Sequence, residues 1–245
     1  MSDRYTRHVI IPEIGVSGQA RLRQARVLVV GAGGLGSPVL FYLAAAGVGT
    51  LGVADDDKIA PSNLNRQILY EVDDVGRSKA LTAVQRLRAF NPEIRAVPHE
   101  IRVLEDNGLP LVQQYEVIVE ASDNLATKDL MNELCVEAGL PLVWAGVQRF
   151  EGQMGVYLPG HGCRRCLMEE TPEPGVYPTA KELGTLGATA GVIGSLQAVE
   201  VIKILLGIGE PLTDRMLYWE GLGATFVVGK FAKRPDCPVC GVREA

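Results

Sequence analysis

The sequence lacks several features, and each absence removes a class of function. There is no surplus of positive charge: 24 Lys and Arg stand against 29 Asp and Glu, a formal net charge of −5. With a pI near 5.3, the basic footprint of a nucleic-acid binder is excluded. The N-terminal Met1-Ser2-Asp3-Arg4-Tyr5-Thr6-Arg7 has no apolar run, so it does not read as a secretory signal. His8, His99 and His161 show no metal-ligand spacing. No Ser/His/Asp or Cys/His constellation stands out for nucleophilic catalysis. Internal repeats and low-complexity tracts are missing too. The cysteines number five, an odd count spaced unlike a small secreted disulfide scaffold.

What is present is ordinary globular composition, 47% hydrophobic and 22% charged, over 245 residues. A chain this long buries roughly 70–75% of its unfolded surface and needs no staples. The most apolar stretch, Leu186 to Leu206, carries Gln197, Glu200 and Lys203 three apart. A membrane span tolerates such residues poorly, so a mostly buried helix with one polar stripe is expected. The expected compartment is the cytoplasm, with no membrane partner.

The first half alternates strand and helix signals. Val27–Val30, Thr50–Ala54, Ile94–Pro98, Val117–Glu120 and Leu142–Ala145 read as strands. Pro38–Ala46, Gly76–Phe90 and Asn124–Ala138 read as helices, the second stopped by Asn91-Pro92. Such alternation predicts a parallel sheet with right-handed crossovers. Later the pattern changes. Gln153–Leu158 alternates like a strand, and Gly160–Gly187 reads as a long loop. Thr189–Leu206 reads as a buried helix, and Met216–Glu220 with Ala224–Phe231 as an antiparallel hairpin. The fold class is therefore α/β: a Rossmann-like, mostly parallel sheet continued by antiparallel strands in the C-terminal half.

Gly31-Ala32-Gly33-Gly34-Leu35-Gly36 matches G-x-G-x-x-G between a predicted strand and a predicted helix. That context makes a tight turn and presents helix N–H groups to phosphate. Asp55 lies 19 residues after Gly36, where an acid can accept ribose hydroxyls. Alone, this fits a nicotinamide dehydrogenase. The next segment decides against it: Asp55-Asp56-Asp57-Lys58-Ile59-Ala60-Pro61-Ser62-Asn63-Leu64-Asn65-Arg66-Gln67.

D-x-D-x-I-x-x-S-N-L-x-R-Q after such a glycine loop resembles the MoeB/ThiF family. These adenylating enzymes activate ubiquitin-like sulfur carriers and are relatives of the ubiquitin-activating enzymes. The resemblance runs from Arg4-Tyr5-x-Arg7 to Cys237-x-x-Cys240. It implies one adenylation domain over residues 1–245, with a nucleotide-binding half (1–146) and a carrier-binding half (147–245). It places Gly31, Gly33, Gly34, Gly36, Asp55, Asp57, Ser62, Asn63, Gln67 and Asn124 around ATP. Arg66 and Lys79 would face the phosphates, the first as a planar fork and the second as a point charge. Asp123 matches the family's magnesium-binding aspartate. Arg7 matches an arginine supplied across a homodimer. Taken singly, Arg66 and Lys79 fit solvated surface charges, Asp123 a helix N-cap, Asp55–Asp57 turn residues, and Arg7 a surface ion pair.

Cys163-x-x-Cys166 and Cys237-x-x-Cys240 are two knuckles separated by seventy residues. Four thiolates can close a tetrahedral zinc site, tying the long loop to the later segment. A redox pair is the rival for either motif alone, although neither opens a helix after a strand. The resemblance implies structural zinc. Cys135 reads as a small buried hydrophobe. Many members of the family carry a loop cysteine just ahead of the buried helix. Here that stretch is Thr179-Ala180-Lys181-Glu182-Leu183-Gly184, with Ala180 at the aligned position. Adenylation is thus expected without a thioester there.

The function implied is an ATP- and Mg2+-dependent nucleotidyltransferase acting on a small carrier protein that ends in Gly-Gly, with a separate sulfur donor protein. Two other readings share parts of the pattern: an NAD-dependent oxidoreductase, and a zinc-stabilised module that binds nucleotide without chemistry.

Overall fold

Strands that are apolar on both faces are satisfied only between two layers. In the computed structural model, which describes residues 3–168 and 180–241, eight strands make one such sheet. They are β1 (Arg26–Val30), β2 (Thr50–Ala54), β3 (Arg95–His99), β4 (Val117–Glu120), β5 (Leu142–Gln148), β6 (Glu151–Tyr157), β7 (Arg215–Glu220) and β8 (Thr225–Lys230). The spatial order is β3-β2-β1-β4-β5-β6-β7-β8. The first five strands pair in parallel, and every pairing from β5 to β8 is antiparallel. The expected sheet class is what the chain builds.

The helices are α1 (Thr6–Val9), α2 (Gly15–Gln24), α3 (Gly36–Ala46), α4 (Lys79–Phe90), α5 (Glu105–Val112), α6 (Leu125–Ala138), α7 (Arg164–Leu167), α8 (Ala180–Leu183) and α9 (Gly187–Leu206). They divide the apolar side chains into two cores. One gathers Leu40, Leu43, Leu51, Leu87, Met154 and Ile193 with α3, α4 and α9. The other gathers Leu28, Ile118, Met131 and Trp144 with α5, α6 and all five cysteines. Truncating any of these large buried side chains to Ala costs about 2–5 kcal/mol.

Several elements differ from the sequence expectation. Helix α4 begins at Lys79 rather than Gly76, because Gly76 takes a left-handed φ of 88° and Ser78 caps the first turn. Helices α2 and α5 were not anticipated. Helix α6 is capped by Asn124, whose Oδ1 accepts from the Thr127 N–H at 2.8 Å. Asp123 is therefore not the N-cap.

Helix α9 has the length and apolarity of a membrane span, yet its polar stripe faces inward. Gln197 Nε2 donates to the carbonyls of Glu120 (3.0 Å) and Val143 (3.3 Å). Glu200 accepts from Lys203 Nζ at 2.6 Å and from the Leu212 N–H at 3.0 Å. The stripe thus satisfies polar groups of the sheet side, and the opposite face, with Val199 exposed, is apolar. Of the predicted long loop, residues 169–179, including Thr179, lie outside the described residues. Its later end is pinned by the β5–β6 turn: Arg149, at a φ of 47°, donates its N–H to Gly184 O and accepts from Leu186 N–H.

Candidate active site

The strand order reverses between β1 and β4, and open α/β sheets bind ligands at such a switch, beyond the carboxyl ends of the strands. The glycine loop leaves β1 there. Gly31, at a φ of 95°, lies so close to the loop after β4 that a Cβ would stand 2.8 Å from Ala121 O. A Cβ at Gly36 would strike the Gly31 carbonyl. The turn can be closed only by glycine at both positions. Gly33 faces Gln67, and Gly34 faces the stem of Arg66.

Asp55 directly follows β2 and knots the loop. Its Oδ2 accepts from the Ala32 N–H at 2.8 Å and its Oδ1 from the Asp57 N–H at 2.9 Å. Burial pushes its carboxyl above the ordinary range, against the pull of Lys79 and of these two N–H groups. Lys79 is only 6% exposed and pairs with Asp57 Oδ2 at 2.7 Å. It is not a solvated surface charge. Arg66 is half-buried and fixed by Ser62 O (2.7 Å) and Asn65 Oδ1 (3.0 Å). The Asn63 Oδ1 accepts from the Ala60 N–H at 3.0 Å, shaping the short 3-10 turn that carries Ser62. Gln67 is buried, and its Oε1 has no hydrogen-bond partner among the described residues.

Asp123 is exposed and forms no hydrogen bond or ion pair with a described residue, while Asn124 beside it is spent on capping α6. The structure thus brings the glycine loop, Asp55, Asp57, Ser62, Asn63, Arg66, Gln67 and Lys79 together, with Asp123 on the adjoining loop. It does not bring Arg7 to them. That side chain is exposed on α1, without a hydrogen bond or ion pair to a described residue.

Sequence reasoning missed Tyr70. Its buried hydroxyl donates to Ala32 O at 2.8 Å and reaches Lys79 O at 3.3 Å, joining the glycine loop to the start of α4. A tyrosine in the apolar run Ile68-Leu69-Tyr70 was the available signal.

The four knuckle cysteines form a separate cluster. The Sγ atoms of Cys163, Cys166, Cys237 and Cys240 all lie within 4.8 Å of one another and all four residues are buried. Cys163 approaches Cys237 at 3.7 Å and Cys166 approaches Cys240 at 3.4 Å. Each knuckle thus meets the other, so neither stands alone as a redox pair. A tetrahedral ion with S ligands at about 2.3 Å sets its sulfurs about 3.8 Å apart, so the donor set fits zinc. Burial opposes ionisation of Cys237, but the N–H groups of Cys240 and Val239 and the neighbouring thiols bring it down to about 7. Cys135 is fully buried and is not among the four clustered thiols, and burial pushes its thiol up.

The sequence profile described as the ThiF family matches residues 5–239. The chain belongs to the ThiF family. It is 46% identical over 245 residues to the sulfur carrier protein adenylyltransferase of Thermus thermophilus, covering 98% of this chain and 90% of that protein. It is 46% identical over 239 residues to the SAMP-activating enzyme E1 of Haloferax volcanii, covering 98% and 88%. A crystal structure of E. coli MccB with ATP superposes with a TM-score of 0.86 at 27% identity, covering 98% of this chain and 74% of that one. Neither an oxidoreductase nor a non-catalytic module finds support among these ThiF-family relatives.

Proposed function

We propose that this ThiF-family chain is an ATP-dependent adenylyltransferase for a small ubiquitin-like sulfur carrier protein. It activates the carrier's C-terminal carboxylate as an acyl-adenylate and releases pyrophosphate, ahead of thiocarboxylate formation. The named relatives support the reaction class. One observation carries the reading to this chain. At the β1–β4 switch, a glycine loop and a buried lysine stand beside an aspartate that pairs with no described residue.

The roles follow from the geometry. Each oxygen of Asp55 accepts one N–H and keeps a lone pair for a ribose hydroxyl. The N–H groups opening α3 meet phosphate. Lys79, preset by Asp57, and Arg66, preset by Ser62 and Asn65, offset the triphosphate charge. Asp123 is a free oxygen donor, the kind a hard cation takes, so the residues fit magnesium. When bound, Mg2+ supplies further neutralisation of the phosphates. The attacking carboxylate is already ionised at neutral pH, so no general base is needed. Zinc in the cysteine cluster would be structural.

The partners follow from surfaces. Tyr42, Ile68, Leu196, Val199 and Phe226 line an open apolar groove of about 550 Å³. A second hollow beside it runs over Tyr42 and Val199 to His8, the neighbour of Arg7. A second copy seated there would bring Arg7 near its partner's phosphates, and we read the active unit as a homodimer. Residues 147–245, which include the edge strand β8 with Val227 and Val228 exposed, form the carrier-binding half. The carrier would end in Gly-Gly, sulfur would come from a separate donor protein, and the compartment would be the cytoplasm.

The test is ATP–pyrophosphate exchange with candidate carriers, alongside a fluorescence titration with NADH. Carrier-stimulated exchange is expected. NADH binding without exchange overturns the reading.

A further inference from the structure

Lys128 and Glu120 are charged, buried and outside the nucleotide site. Lys128 is 8% exposed and Glu120 fully buried. Lys128 Nζ donates to Glu120 Oε2 at 2.6 Å, Ser122 O at 2.8 Å and Ala145 O at 2.5 Å. An ammonium has three protons, so its donors are fully used. Glu120 Oε1 accepts from the Ser122 N–H at 2.7 Å and from the Ser122 hydroxyl. The Ala121 N–H donates to Val30 O at 2.8 Å. Residues 120–122 are therefore held on every side, and the next residue is Asp123.

A buried ion pair is weak evidence of a stabilising role. Replacing a buried ion pair with well-packed apolar residues is often neutral or stabilising. What the pair does is local. It gathers the end of β4, the following loop, the β5 carbonyl and one turn of α6 around a single point. Because all three Lys128 protons are taken, the ammonium cannot pair with Asp123 five residues earlier.

We propose that Lys128 is a positioning residue for adenylation: it locks the Glu120–Asn124 loop so that the Asp123 carboxylate stands preset and unpaired for the cation that accompanies the nucleotide. Lys128 touches neither ATP nor the reacting carboxylate. The inference rests on the adenylation reading and deepens it.

The test uses the full chain and two readouts. One is Mn2+ affinity, by electron paramagnetic resonance titration in the presence of a non-hydrolysable ATP analogue. The other is the Mg2+ midpoint of ATP–pyrophosphate exchange. Lys128→Met is expected to weaken Mn2+ binding about tenfold or more and to raise the Mg2+ midpoint equally, the scale seen when an outer partner of a metal ligand is removed. The KM for ATP at saturating Mg2+ should stay within about threefold, since only the cation's ligand is displaced. Lys128→Arg, which keeps the charge and donors, should restore Mn2+ affinity to within about threefold of the native protein. A folded Lys128→Met protein with native Mn2+ affinity and Mg2+ midpoint overturns the proposal. Should Lys128→Met fail to fold, Glu120→Gln decides, because it removes the charge that holds the Lys128 ammonium: a Mn2+ affinity several-fold weaker supports the role, and an unchanged one refutes it. Absence of exchange in the native protein would sink the adenylation reading alone, because the Mn2+ titration needs no turnover. Absence of Mn2+ binding to the native protein with nucleotide analogue would sink this inference.

Discussion

Asp123 and Asn124 are chain neighbours with opposite assignments. Asn124 is bound to its own helix, whereas Asp123 is bonded to no described residue. Substitution should separate them. Asp123→Ala is expected to lower magnesium-dependent exchange by about 10²–10³-fold, the cost of losing one preset electrostatic group. Its thermal melting should be unchanged. Asn124→Ala removes a cap worth about 1 kcal/mol, so it should lower the melting temperature by a few degrees. Calorimetry and exchange assays on both proteins check the contrast; near-native exchange by Asp123→Ala refutes its role.

The segment leading into α4 is an element held by charge. Asp74 is buried, and its carboxylate accepts from Arg77 at 3.0 Å, Arg86 at 2.8 Å and the Glu71 N–H at 3.0 Å. Burial opposes its ionisation, but the bonds from Arg86 and the Glu71 N–H, with the Arg77 charge, outweigh it and hold the carboxyl below the usual range. A depressed carboxyl contributes stability above its unfolded value near 3.9 and loses it as pH falls through the folded one. Asp74→Asn should cost about 1–3 kcal/mol at pH 7 and flatten the fall in melting temperature below about pH 4. An unchanged acid limb of the stability profile would rule out this contribution.

At the same scale, the sequence was legible wherever one signal dominated. The strands β1, β2 and β4 are runs of apolar residues, and the glycine loop and Ser62–Gln67, distinctive in sequence, lie against each other in the fold. Helix α5 was hidden because Gly108 and Pro110 break its periodicity, and α2 because its sequence is poor in apolar residues. The direction of the polar stripe on α9 could not be read either. Spacing says that Gln197 and Glu200 share a face, but only the carbonyls of Glu120 and Val143 decide that it turns inward. Lys128 was invisible for a similar reason: its three acceptors come from β4, the loop after it and β5.

For the whole molecule, the proposed homodimer is tested through Arg7. If Arg7 acts across the interface, a mixed dimer of Arg7→Ala with Asp123→Ala subunits keeps one intact site. About half of native exchange per dimer is expected where both parent homodimers are nearly inactive, a consequence of two-fold interface symmetry. A dead mixed dimer would rule out the crossing. Cys163→Ser should release zinc, measured by metal analysis, and lower the unfolding free energy; unchanged zinc content would exclude four-cysteine ligation.

The cysteine cluster also imposes an order on synthesis. Cys163 and Cys166 follow β6, while Cys237 and Cys240 follow β8, after all eight strands. A chain emerging from a ribosome can shape its nucleotide loop early, yet it holds only two of the four thiols until β7 and β8 have been made. An ion held by all four thiols could be captured only once the sheet is complete, and a chain stalled before Cys237 would carry an open pair of thiols.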